Sequence, residues 1–305
     1  MPTIDRILCP TDFSEQASHA LTYALRLAEG LHAEVTLLHV CPSFPYLTPG
    51  EDYAPLADEE RAIMESAQKE LDSWVRKFSK TTTVPLKSRL DEGHAYKKIN
   101  AAADELYAGL IVMGTHGRSG LSRMVMGSVA ERTIRTSSRP VLTIPRAMAK
   151  TVQLSGAPSG GNIETPPHIL LATDFSDPAD RACELAKTLR ESFGATVHVV
   201  HVILRPDDEV FGGDSHLHDK RFAAYELGLE TTLEAFGRSF GPGPKVTTKL
   251  LKGKPVERIL AAARATKADL VCVGTTGRGM VDRLLMGSTA RALIRDSDVP
   301  VLITP

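Results

Sequence analysis

The chain writes one pattern twice, and that constrains it more than anything else. RILCPTDFSE (6–15) returns as HILLATDFSD (168–177), so Asp12 and Asp174 stand 162 residues apart. AEVTLLHV (33–40) returns as ATVHVVHV (195–202), again at an offset of 162. The third block, LIVMGTHGRSGLSRMVMGSVAERTIRTSSRPVLTIP (110–145), returns as LVCVGTTGRGMVDRLLMGSTARALIRDSDVPVLITP (270–305) at an offset of 160. Three blocks in one order at a nearly constant spacing mean a duplicated domain. Each copy is about 140 residues, an ordinary size for an independent domain. The boundaries are 1–146 and 167–305. Between them, AMAKTVQLSGAPSGGNIETP (147–166) is rich in Gly, Pro, Ser and Thr, lacks periodicity and suits a linker.

Within each copy, short apolar runs alternate with helical spacing. Ile7–Pro10 is apolar; Ser14 follows as an N-cap, and Ala17, Ala20, Leu21, Ala24, Leu25 and Ala28 fall on one helical face, with Gly30 at the expected helix end. Val35–Val40 reads as a buried strand. The prolines at 42, 45, 49 and 55 make 41–56 a loop, and 57–79 reads as a helix. Strands over 84–90, 110–113 and 141–144 and helices over 96–106 and 128–136 complete the copy. Apolar strands separated by amphipathic helices imply a parallel sheet covered on both faces. With right-handed crossovers, each copy is a doubly wound five-stranded α/β domain. Ligands of such sheets sit at the carboxyl ends of strands where the strand order reverses.

Composition removes several function classes. Lys and Arg number 36 against 37 Asp and Glu, so no overall positive field is available to grip a nucleic acid. No apolar run approaches the roughly 18–20 residues that span a bilayer, and the N-terminus lacks a signal-peptide pattern. Cys9, Cys41, Cys183 and Cys272 form no CxxC and point to reduced, buried thiols in a cytosolic protein. Neither GxxxxGK[ST], GxGxxG nor GxSxG occurs, so P-loop, Rossmann and α/β-hydrolase chemistries lack their usual signatures.

The strongest chemical signal follows the fourth strand. Gly114 and Gly117 precede Gly127-Ser128 by a nine-residue interval, and Gly274, Gly277 and Gly287-Ser288 repeat that spacing. Glycine lets backbone amides approach an anion and permits positive φ. The helix that starts beyond Gly127 offers amides and a dipole to phosphate. Turn chemistry alone would also use glycine, but the identical spacing in both copies favours a phosphate cradle. Asp12 and Asp174 follow the first strand, where a carboxylate can accept from a ribose hydroxyl or an exocyclic amine. Ser14 and Ser176 are better placed to cap the following helix, which leaves the two aspartates to a ligand. Arg118, Arg123, Arg278 and Arg283 lie in the nine-residue loops, either screening a phosphate chain or solvated. The second copy has Thr276 where the first has His116, so no shared catalytic role attaches to it. His39 and His201 recur amid aliphatics and read as packed, hydrogen-bonded residues. The stretch Asp214–Asp219 holds an H-x-H pair, which a polar loop explains better than zinc.

Taken together, strand–Asp-x-Ser, strand–His-Val, G-x2-G-x9-G-[ST] and the closing PVL strand resemble the universal stress protein family, over nearly all of both copies. The glycine motif resembles the branch of that family that binds ATP. The resemblance implies an adenine nucleotide alpha hydrolase-like fold. It also implies adenine and ribose contacts from Pro10, Asp12, Val40 and Met113, and phosphate contacts from Gly114, Gly117, Gly127, Ser128 and Val129. The matching second set is Asp174, Val202, Val273, Gly274, Gly277, Gly287, Ser288 and Thr289. Ala172 stands for Pro10 and Thr289 for Val129, a departure in the second copy. Any Mg²⁺ would arrive with the nucleotide, since no carboxylate cluster specifies it. In the resembling family, single domains pair through the last strand, which implies an internal pseudo-twofold pair and leaves open a homodimer of two chains. Three functions are carried forward: a nucleotide-binding stress or signalling protein with at most weak hydrolysis, an enzyme acting on ATP, and a nucleotide-free interaction module.

Overall fold

The structure is a computed structural model that describes residues 4–43, 53–117, 126–146, 167–204, 215–277 and 286–305, with the side chains of 53–58 and 215–219 set aside. The 147–166 linker and the four loop arginines lie outside the described residues. Two compact units divide the chain, Pro2–Gly161 and Asn162–Thr304.

The first unit runs β1 (Arg6–Thr11), α1 (Glu15–Leu31), β2 (Glu34–Cys41), α2 (Tyr53–Phe78), β3 (Leu86–Glu92), α3 (Ala95–Glu105), β4 (Leu110–Gly114), α4 (Ser128–Thr136) and β5 (Val141–Ile144). The second repeats it as β6 (His168–Ala172), α5 (Asp177–Phe193), β7 (Thr196–Ile203), α6 (Ser215–Arg238), β8 (Val246–Lys252), α7 (Pro255–Thr266), β9 (Leu270–Gly274), α8 (Ser288–Asp296) and β10 (Val301–Thr304). All described pairings within a unit are parallel, in the order β3-β2-β1-β4-β5 and its counterpart β8-β7-β6-β9-β10. The expected α/β class and duplication are therefore the observed ones. Strand order reverses between β1 and β4, and between β6 and β9.

Strands covered on both faces explain the unbroken apolar runs. Ile7, Leu8, Cys9, Val35, Leu37, Leu38, Ile111 and Val112 are buried, as are Leu170, Leu171, Val199, Val271 and Cys272. Burial pushes the Cys183 thiol up to about 12 and raises Cys9 and Cys272 as well, so these thiols stay protonated and inert.

Some boundaries differ from the sequence expectation. Helix α1 passes through Gly30, and His32 closes it in the left-handed region at φ 54°, its amide donating to Ala28. Helix α2 starts at Tyr53, before the expected 57, with Pro55 in its first turn, where a missing amide costs nothing. Strand β3 sits two residues later than expected, because its register pairs Leu86 with Val35.

The second unit carries supports that the first lacks. Arg190 of α5 is buried; its Nε donates to Pro244 O at 2.9 Å and its Nη1 to Phe240 O at 2.8 Å, fastening the turn that leads into β8. The matching residue in α1 is Ala28. Replacing Arg190 by Met strands those carbonyls and is expected to cost about 2–4 kcal/mol. Urea unfolding of the full chain will read this as an earlier transition of the second unit.

At the amino ends of β6 and β7, His168 Nδ1 lies 3.0 Å from His198 Nε2, and His198 Nδ1 lies 2.8 Å from Thr247 Oγ1. Burial, then the neighbouring His168 and Lys245, lowers the His198 pKa. The unfolded chain therefore takes up this proton more readily, and its contribution to stability is lost as pH falls through the ordinary imidazole value of about 6.5. The first copy has Thr36 at this position. His198→Thr should accordingly flatten the loss of urea resistance between pH 7.5 and 5.5.

Candidate functional site

Each unit has a cavity at the reversal of strand order. The first, about 360 Å³, is lined by every residue the sequence nominated there: Pro10, Asp12, Val40, Met113, Gly114, Gly117, Gly127, Ser128 and Val129. The second, about 460 Å³, is lined by Ala172, Asp174, Val202, Val273, Gly274, Gly277, Gly287, Ser288 and Thr289. Both volumes lie in the range of small-molecule sites.

The carboxyl end of β1 is bent by a strained turn. Phe13 has φ 63° and Phe175 has φ 59°, a region that bulky L-residues avoid. Local bonds hold the strain. The Phe13 amide donates to Thr11 Oγ1 at 3.0 Å, and its ring packs on His39 at 4.4 Å and Trp74 at 5.6 Å. Phe175 repeats this with Thr173, His201 and Phe236. The His39 and His201 Nδ1 atoms donate to the Thr11 and Thr173 carbonyls at 2.7 Å. The two histidines are thus packed as expected, but they also line the cavities.

Asp12 is more engaged than its sequence position suggested. Its Oδ1 accepts from the Ser14 amide at 3.1 Å and the Ser14 hydroxyl at 2.6 Å, and Asp174 does the same with Ser176. Ser14 Oγ in turn accepts from the Ala17 amide at 3.2 Å and caps α1, whereas Ser176 makes no side-chain cap bond. Oδ1 is therefore spoken for within the chain, and Oδ2 is the oxygen beside the glycine loop.

The glycines answer a packing constraint besides the one their spacing suggested. None of the six has positive φ. A Cβ on Gly117 would lie 2.6 Å from Asp12 Oδ2, and one on Gly277 would lie 2.7 Å from Asp174 Oδ2. On Gly114 it would meet Gln16 Cγ at 2.7 Å, and on Gly274 it would meet Pro178 Cβ at 2.7 Å. On Gly127 it would approach Thr115 O at 3.2 Å, the carbonyl that the Gly127 amide already donates to at 2.8 Å. Glycine here lets protein approach protein, and the cavity wall is the result.

Gly127 and Gly287 cap α4 and α8 without a side chain. The next three amides of each helix have no intrahelical acceptor, because the first backbone bonds run from Glu131 to Gly127 and from Arg291 to Gly287. Those amides belong to Ser128, Val129 and Ala130, and to Ser288, Thr289 and Ala290, all on the cavity wall. Each cavity thus has an anion-favouring end and an apolar end made by Pro10, Leu38, Val40, Ile99 and Met113, or by Ala172, Val200, Val202, Ile259 and Val273.

Sequence reasoning passed over the first turn of the third helix of each copy. Ala95 and Ile99 line one cavity, Pro255 and Ile259 the other. Their common i, i+4 spacing at an offset of 160 was the available signal. Tyr225 was also missed. Among the described residues no group of three His, Cys, Asp or Glu side chains could hold a metal ion. Asp214 and the side chains of His216, His218 and Asp219 lie outside the described residues.

A profile of the universal stress protein family matches residues 3–145 and again 167–305. The chain belongs to that family. As a tandem member it is 24% identical over 302 residues to a universal stress protein of Mycolicibacterium smegmatis, covering 97% of this chain and 96% of the other. A Methanocaldococcus jannaschii universal stress protein is 34% identical over 142 residues, 46% of this chain and 82% of its own length. The crystal structure of an Archaeoglobus fulgidus universal stress protein superposes with a TM-score of 0.66 at 25% identity, covering 99% of this chain and 98% of that one.

The close approach of Gly117 to Asp12 is testable in this universal stress protein. Gly117→Ala should destabilise the first unit by about 1–3 kcal/mol through overpacking. In an Asp12→Ala background the same change should cost far less, since the opposing carboxylate is gone. Urea unfolding of the two single variants and the double variant measures the coupling.

Proposed function

We propose that each unit binds one adenine nucleotide, ATP foremost, and that the protein uses it as a regulatory ligand in a stress response. The observation that carries this reading is the amphipathic cavity, present twice, with uncapped helix amides at one end and an aliphatic slot at the other. A flat base suits the slot, a hydroxyl-bearing sugar suits Asp12 or Asp174, and phosphates suit the helix start. The family membership agrees with it, and the glycine spacing resembles the ATP-binding branch. A divalent cation on the phosphates would come with the ligand.

Binding is favoured over dedicated catalysis by what the lining groups already do. Asp12 Oδ1 accepts from Ser14, and His39 Nδ1 donates to Thr11, with the same arrangement in the second unit. These bonds position a wall, and a base for in-line attack needs a carboxylate or imidazole aimed at the phosphates.

Equilibrium dialysis with labelled ATP should find two equivalents per chain. Gly127→Val should remove one of them, because the added side chain crowds both Thr115 O and the phosphate end. A folded protein that retains no ATP above background refutes the reading.

A further inference from the structure

The two cavities differ where α6 reaches the second. Tyr225 lines that cavity, yet its side chain is 56% exposed. The matching residue of α2 is Ile63, and of its described residues α2 puts no side chain on the first cavity. The offset of 162 that makes this match also pairs Trp74 with Phe236, which take equivalent places against Phe13 and Phe175.

Tyr225 is held where it stands. The next residue, Glu226, forms an ion pair with Lys252 Nζ at 2.6 Å. Lys252 ends β8 and pairs in register with Ile203, while Leu251 pairs with Val202. The Phe222 ring lies 6.4 Å from Tyr225, with Lys252 Nζ 5.9 Å from the Phe222 centroid. This clamp brings one turn of α6 to the carboxyl ends of β7 and β8, the aliphatic end of the cavity that holds Val202. The first copy has Met64 and Glu92 in place of Glu226 and Lys252, so it cannot form the clamp.

We infer that Tyr225 covers the aromatic base of a nucleotide in the second cavity, a contact that Ile63 at the matching place of the first copy does not supply. An aromatic ring left largely in water at the mouth of an apolar slot gains by being covered, and a planar base presents the matching face. This rests on the nucleotide reading above and assigns a specificity residue to one of its two sites.

Calorimetric titration of the full chain tests it, with ATP and with tripolyphosphate, which lacks the base. Tyr225→Ala should weaken one of the two ATP sites by roughly tenfold or more and leave the other unchanged. Tyr225→Phe should bind ATP like the wild type, because stacking needs the ring and not the hydroxyl. Neither change should alter tripolyphosphate binding. Retained tripolyphosphate binding at the second site reports that the unit carrying the variant is folded. The inference is overturned if Tyr225→Ala stays within twofold of wild type at both sites. It is equally overturned if Tyr225→Phe loses as much as Tyr225→Ala, or if tripolyphosphate affinity falls in parallel. A wild-type chain that binds no ATP at all removes the nucleotide reading and this inference with it.

Discussion

Adjacent strands of each sheet send the chain away in opposite directions, and every feature of the site follows from the gap this leaves. Between β1 and β4, and again between β6 and β9, no crossover helix among the described residues closes the carboxyl ends. The chain lines the gap with three short pieces: the strained turn after β1, the glycine loop after β4, and the start of α4. Backbone hydrogen bonds stitch them together. Gly127 donates to Thr115 O at 2.8 Å, and Thr115 donates to Ile144 O at 3.2 Å, which ties the loop to the last strand of the unit. The strained Phe13 is tolerated because Thr11, His39 and Trp74 each fix part of it. Strain that several neighbours enforce is a recurrent property of sites that must hold a shape before a ligand arrives.

Side-chain-free positions invite a ligand-centred explanation, and here it is incomplete. Gly117 and Gly277 are small because the aspartate of their own unit occupies the space. That contact places a carboxylate oxygen against the glycine loop without any ligand present. The helix start contributes differently. Its amides have no capping side chain because glycine has none to offer, so the same residue type opens the site electrostatically at Gly127 and sterically at Gly117.

Much of this was legible in the residues. The duplication, the α/β class and the Asp, Gly and Ser positions could be read from spacing, because these residues punctuate strand ends and helix starts, whereas Pro10, Val40, Met113 and Val129 and their counterparts were nominated through the family resemblance alone. The early start of α2 was hidden by its proline, which is harmless in a first turn. The shift of β3 was hidden because register, unlike periodicity, is settled only when the strand meets β2. The role of the glycines was hidden for a deeper reason. Spacing shows where a Cβ is missing but not which atom would have met it. Ala95, Ile99, Pro255 and Ile259 carry no chemically conspicuous group, so only their repetition could have drawn notice.

The two copies diverge in their supports and in part of the cavity wall while keeping the Asp-Phe-Ser turn and the three glycines. Asp, Phe, Ser and the three glycines stand at equivalent places in both units, with the same bond lengths at the Asp-Ser turn, 3.1 and 2.6 Å. Around them the second unit has Arg190 for Ala28, His198 for Thr36, and Tyr225 for Ile63. The first two exchanges lie away from the cavity and bear on how the unit stands up to denaturant and acid. The third lies on the cavity wall, together with the milder exchanges of Ala172 for Pro10, Val273 for Met113 and Thr289 for Val129. Gly287 and Ser288 repeat the helix start of the first unit, so the two cavities share their anion-favouring part and differ in what they present to an apolar group.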